Sequence, residues 1–185
     1  MNEISNAAVA FDSLRQIVDS IDSSQLALQT PCRDYDVAAL AEHLIGSITR
    51  ISAAAGVVVT PSDEHEVLRR LIDTGAMVVT GWRSRGVDGE VEFAGRTLPA
   101  RTLLGVITLE FVVHGWDFAA SVDTVPTVPD DLAGDILAVA QQTITPTSRR
   151  LVGFDEPVAI SDDANALDRL LAFTGRDPAA QTLLR

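Results

Sequence analysis

One segment of the sequence, from about Ala100 to Val122, constrains the fold more than any other. As a helix it would carry apolar side chains around nearly its whole circumference: Leu103, Leu104, Val106, Ile107, Leu109, Phe111, Val112, Val113, Trp116 and Phe118. A helix that is apolar all round is buried among other elements. The segment therefore predicts the central helix of a helical protein.

The rest of the chain supplies helices that can surround this segment. Apolar residues at helical spacing predict a first helix from about Ile4 to Ile21 and a second one after Asp36, whose carboxylate suits an N-cap. Ser62 predicts the cap of a third helix that ends near Thr80.

Further signals follow along the chain. Residues 90–98 alternate between apolar and charged side chains, which indicates a short β-hairpin, and Asp130 is expected to cap a helix that ends near Thr143. A last helix is predicted from about Asp163 to Thr174, ended by Gly175. We expect one all-α domain over residues 1–185, built as an antiparallel bundle.

Polar side chains interrupt the apolar segment along one line. Glu110 and His114 are four residues apart and Asp117 lies three residues further, so on a helix all three project from one face. Leu103 and Ile107 continue that face, so the polar groups lie in an apolar environment. Burial of an unpartnered carboxylate costs several kcal/mol, so Glu110 must be protonated, paired with an arginine or bound to a metal. The neighbouring histidine favours the metal.

A further ligand should come from another helix, and the other histidines are His43 and His65. His43 lies among small residues beside the apolar stripe of the second helix, so it is either a ligand that reaches a facing helix or a partly exposed flank residue. His65 lies in an acidic cluster and is expected at the surface. Two histidines and one carboxylate fit a catalytic zinc site with an open position, and equally the facial triad of non-haem iron. Asp117 would orient His114 through its second ring nitrogen, or be a surface carboxylate.

Charge and cysteine content exclude other classes of function. The net charge of -12 disfavours nucleic acid and anionic membrane surfaces as partners. The first ten residues lack the basic region of a signal peptide, so a cytoplasmic location is expected. Cys32 is the one cysteine, which excludes an internal disulfide or a cage of thiolates. It lies in a loop with no evident base, and we interpret it as a small buried hydrophobe rather than a nucleophile.

Three segments resemble known sequences. Residues 30–37 (TPCRDYDV) and 40–46 (LAEHLIG) resemble the opening of the mycothiol-dependent maleylpyruvate isomerase N-terminal domain, and residues 110–117 (EFVVHGWD) resemble its second signature. Residues 168–178 (DRLLAFTGRDP) are similar to the ending of a related actinobacterial branch of small metal-binding proteins. All of these belong to the DinB-like superfamily.

The resemblance implies a DinB-like four-helix bundle with one or two extra short helices. It also implies a divalent metal, usually zinc with nickel or iron as alternatives, held by His43, Glu110 and His114. Relatives use mycothiol or a similar thiol, which the metal is thought to activate. The isomerase has a separate C-terminal domain that helps to bind its thiol, and this chain is too short to hold that domain in full. Isomerase activity is therefore not carried over.

We expect a metal-dependent enzyme that activates a low-molecular-weight thiol for transfer to an electrophilic small-molecule substrate. A hydrolase that acidifies a metal-bound water is an alternative in the same class. The competing class is non-catalytic: a metal- or small-ligand-binding bundle, or an accessory protein that forms a homodimer. A fourth protein ligand, such as His65, would favour a structural site.

Overall fold

The computed structural model describes residues 2–147, 149 and 153–179. In these residues the chain forms six α-helices and one β-hairpin, and a single turn of 3-10 helix at Ser23–Gln25. Their bounds are α1 Glu3–Val18, α2 Val37–Ala54, α3 Val67–Arg85, β1 Glu90–Phe93, β2 Arg96–Pro99, α4 Ala100–Ser121, α5 Asp130–Thr143 and α6 Ala166–Phe173. The predicted helical bundle with short extra helices and a hairpin is confirmed.

The chain divides into two compact units, Met1–Pro126 and Thr127–Arg185. In the first unit, α4 packs against α1 and α2, and α3 packs against the same two helices. This closed ring of contacts is a four-helix bundle. The hairpin β1–β2 joins α3 to α4 at the edge of this bundle.

Helix α4 is the buried central helix that its sequence predicts. By length and composition this helix could cross a membrane, but 89% of its most apolar stretch is buried inside the protein. Within the first unit α1, α2 and β2 pack against this helix, and such burial removes its apolar surface from water, as expected for a core helix.

Two neighbouring pairs of helices run parallel, so the prediction of an antiparallel bundle is wrong for these pairs. Along α1 and α4, Glu3 lies 3.5 Å from Arg101, and further along both helices the rings of Phe11 and Phe111 lie 5.5 Å apart. The contacts therefore advance in the same direction on both helices.

Helices α2 and α3 are parallel in the same way. Near the start of both helices, Arg70 lies 2.6 Å from Glu42. Near the end of both helices, Trp82 Nε1 donates to Ser52 Oγ at 3.2 Å. For α3 to run parallel to α2, residues 55–66 must return from the end of α2 to the level of its start. They are long enough, because an extended chain covers about 3.3 Å per residue, whereas α2 rises only about 1.5 Å per residue.

The predicted helix starts were right in one case and wrong in another. Asp36 is the N-cap of α2, and its carboxylate accepts from the Ala39 N–H at 2.8 Å. Ser62 does not cap α3, which begins at Val67. Its hydroxyl instead accepts from the Glu64 N–H in a local turn, the competing use of a short polar side chain.

In the second unit, α5 packs against α6. Asp130 is the first residue of α5 rather than its cap, and its carboxylate accepts from the Ala166 N–H at the start of α6. Asn165 caps α6 in place of the predicted start near Asp163. Gly175 follows the helix with a φ of 85°, as predicted for a residue that ends it.

Candidate metal centre

The structure brings His43, Glu110 and His114 together. One ligand atom from each residue lies within 4.8 Å of the other two. Glu110 and His114 are 7% and 3% exposed, whereas His43 is half-buried. The two imidazole rings meet edge to face at 5.3 Å. The cluster thus joins α2 to α4 inside the first unit and reaches solvent on the side of α2.

Asp117 fixes the ring of His114. Its carboxylate Oδ2 lies 2.9 Å from His114 Nδ1, and the aspartate is fully buried. An ionised carboxylate only accepts hydrogen bonds, so Nδ1 is the donor in this contact, and in the neutral ring Nε2 then presents its lone pair. Nε2 faces Glu110 Oε2 at 3.7 Å. The two candidate ligands on α4 are therefore oriented toward each other.

Tyr35 supports His43 from outside the helix, and sequence reasoning missed it. Its hydroxyl lies 3.3 Å from His43 Nδ1. The two rings also stack, with centroids 4.8 Å apart and planes inclined by 28°. The tyrosine thus contacts the Nδ1 side of the His43 ring. Helical periodicity gives no signal for such a contact, because Tyr35 lies in the loop before α2.

The loop of residues 30–36 has a fixed shape of its own. The buried Thr30 hydroxyl donates to the carbonyl oxygens of Cys32 and Tyr35 at 3.0 and 2.8 Å. The Tyr35 N–H donates to the Cys32 carbonyl at 2.9 Å, and Gln29 pairs with Asp36 across the base of the loop. These bonds present two side chains of the loop to the histidines of the cluster.

The interpretation of Cys32 as a small buried hydrophobe is wrong. Cys32 is half-buried, and its sulfur, a nitrogen of His114 and an oxygen of Asp117 lie within 4.8 Å of one another. A turn of the loop brings the thiol to groups more than eighty residues away in sequence, which no local pattern reveals. His65, by contrast, is exposed as predicted.

Glu110 Oε2 is the atom that tests whether a cation fits here. It is buried and accepts no hydrogen bond from any described residue. The nearby His114 Nε2, at 3.7 Å, is beyond hydrogen-bonding distance. A buried carboxylate oxygen without a donor is unfavourable unless a cation satisfies it. Two imidazole nitrogens and one carboxylate are also a known donor set for zinc, so these residues fit a divalent metal.

Comparison with known proteins identifies the family of the chain. The family described as mycothiol maleylpyruvate isomerase N-terminal domain matches residues 7–119. The chain belongs to this family. The match covers α1 to most of α4 and includes His43, Glu110 and His114. The predicted family resemblance is confirmed.

Two proteins of Mycobacterium tuberculosis are also similar to the chain. They are Uncharacterized protein MT0763 of strain CDC 1551 / Oshkosh and Uncharacterized protein Rv0738 of strain ATCC 25618 / H37Rv. Each is 24% identical over 173 residues, which cover 90% of this chain and 93% of the relative. This similarity extends well beyond the segment that the family matches. No solved structure matches the chain.

Proposed function

We propose that the protein is a metal-dependent enzyme that activates a low-molecular-weight thiol of the mycothiol type for transfer to an electrophilic small molecule. The observation that carries this proposal is the buried oxygen Glu110 Oε2, which has no hydrogen-bond donor among the described residues. The Glu110 carboxylate lies in one cluster with nitrogens of His43 and His114. Zinc is the proposed metal. Nickel and iron suit the same donors.

Each residue of the cluster has a distinct part. His43, Glu110 and His114 would hold the metal, and three protein ligands leave a position for an outside ligand. The bound metal would supply positive charge that stabilises a thiolate at neutral pH. Tyr35 and Asp117 hold the two rings through their Nδ1 atoms, and the Nε2 atoms are the proposed metal donors.

Exposure indicates how a thiol would reach the site. Glu110 and His114 are closed off in the bundle, whereas His43 and Tyr35 are half-exposed. A thiol would therefore approach along the loop of residues 30–36. The proposal includes a small-molecule substrate and a cytoplasmic location, and the acidic chain makes nucleic acid an unsuitable partner.

Cobalt substitution tests the proposal without an assay of turnover. Mycothiol, or glutathione as a substitute, is added to the cobalt-loaded protein, and the visible and near-ultraviolet spectrum is recorded. We expect a thiolate-to-cobalt charge-transfer band, which should persist in the Cys32→Ser variant and be lost in His43→Ala. An S-methylated thiol is the control and should produce no band. A cobalt spectrum that no thiol changes would contradict thiol activation and favour a site for metal binding alone.

A further inference from the structure

A second group of metal-binding side chains shares His114 with the first. Cys32, His114 and Asp117 bring a sulfur, a nitrogen and an oxygen within 4.8 Å of one another. His114 is 3% exposed and Asp117 is fully buried, whereas Cys32 reaches the group from the half-exposed loop. Asp117 approaches His114 Nδ1 at 2.9 Å, whereas Nε2 of the same ring faces Glu110.

We propose that Cys32, Asp117 and His114 Nδ1 form a second cation site, one that selects soft divalent ions and cannot be filled together with the first. The site would take Cd²⁺, or Zn²⁺ in competition with the His43 and Glu110 site.

The donor types account for the selectivity. A thiolate is a soft ligand and favours Zn²⁺ and Cd²⁺, whereas two imidazoles and a carboxylate also accept harder ions. Around one tetrahedral zinc ion, a sulfur at about 2.3 Å and a nitrogen at about 2.0 Å lie about 3.5 Å apart. The donor atoms of the group lie within 4.8 Å of one another, so the thiol would have to approach by up to about 1.3 Å. Rotation of the Cys32 side chain can supply this approach while the hydrogen bonds of the loop stay in place.

The shared ring makes the two sites exclusive. A neutral imidazole has a lone pair on only one of its two nitrogens. When a cation takes His114 Nδ1, the ring proton moves to Nε2 and the thiol of Cys32 releases its proton to solvent. The protonated Nε2 then directs its proton toward Glu110 Oε2, 3.7 Å away, in place of the lone pair that the first site needs. Occupation of the second site thus removes one ligand from the first.

Titration with cadmium alone tests this inference. Cd²⁺ is added to metal-free and to cobalt-loaded protein, and the ultraviolet thiolate-to-cadmium band and the visible cobalt bands are followed together. In metal-free protein we expect the thiolate band to reach its maximum at one equivalent. In cobalt-loaded protein we expect the band to rise in step with the release of cobalt.

Two variants separate this inference from the proposed function. Cys32→Ser should keep its cobalt spectrum and show no cadmium band. His43→Ala should lose the cobalt spectrum and keep the full cadmium band, because its second site is intact. Absence of the band from wild-type protein would overturn the inference, as would a full band with no cobalt released. Failure of the proposed thiol activation would leave the cadmium results unchanged.

Discussion

His114 Nδ1 lies 2.9 Å from the carboxylate of Asp117, three residues further along α4, and both side chains are buried. One helix therefore supplies a candidate metal ligand and the group that orients it. Because the spacing is set by the helix itself, the ring of His114 is held in place before any metal or substrate binds.

Asp117→Asn tests this support. The amide keeps the volume of the carboxylate, but it can donate to Nδ1 and then leaves the ring proton on Nε2. Zinc affinity, measured by competition with a chelator, should fall about 10- to 100-fold. Ser121→Ala is the control, because the Ser121 hydroxyl donates to the Asp117 backbone carbonyl and not to its side chain. Wild-type affinity in Asp117→Asn would contradict the orienting role.

Glu110→Gln should stabilise the protein when metal is absent. The substitution replaces a buried carboxylate whose Oε2 has no hydrogen-bond donor in the part of the chain that the structure describes, and such a group costs about 1 to 3 kcal/mol. Urea unfolding in the presence of a chelator measures the gain. With saturating zinc the order should reverse, since the wild-type protein alone keeps all three ligands. The exposed Glu64→Gln should change neither value. Equal stability of Glu110→Gln and wild type without metal would contradict the energetic cost assigned to the unpartnered Glu110 Oε2.

Tyr35 should contribute to metal affinity in two separable ways. Tyr35→Phe keeps the ring that stacks on His43 and removes the hydroxyl 3.3 Å from Nδ1. We expect a loss of about tenfold or less in cobalt affinity, because this hydrogen bond is long. Tyr35→Leu removes the stacking as well and should lose more. If both variants bind cobalt as wild type does, the tyrosine has no part in the site.

Two glycines of the bundle should respond oppositely to alanine. A Cβ at Gly75 would lie 2.2 Å from the ring of Phe11, and that ring already packs against Phe111. Gly75→Ala should therefore cost about 1 to 3 kcal/mol in the free energy of unfolding. At Gly115 the nearest atoms would be at 3.7 Å, an ordinary contact. Gly115→Ala should be neutral or stabilising by up to about 1 kcal/mol. Urea unfolding of both variants checks the contrast, and equal effects would be inconsistent with the packing of α1 against α3.

The sequence predicted best where the signal is periodic or local. Helix α4 was predicted at Ala100–Val122 and is found at Ala100–Ser121. The hairpin was predicted over residues 90–98 and is found at Glu90–Phe93 and Arg96–Pro99. Its turn lies at Ala94 and Gly95, which adopt φ angles of 52° and 74°. The common face of Glu110, His114 and Asp117 also follows from helical spacing alone.

The features that the sequence did not predict depend on how distant segments pack. The parallel direction of α2 and α3 depends on the path of residues 55–66, which carry no regular pattern. The contacts of Tyr35 and Cys32 with the two histidines depend on the hydrogen bonds of Thr30 within its loop. Periodicity describes one element at a time, so it gives no information about a loop that folds over a helix.

Metal analysis of purified protein tests the central claim most directly. Wild-type protein, His114→Ala and His65→Ala are purified in parallel, and the metal content per chain is measured by elemental analysis. His65 is exposed and serves as the matched histidine control. The account predicts about one divalent metal per chain in wild type and in His65→Ala, and almost none in His114→Ala. Equal metal content in all three proteins would contradict it.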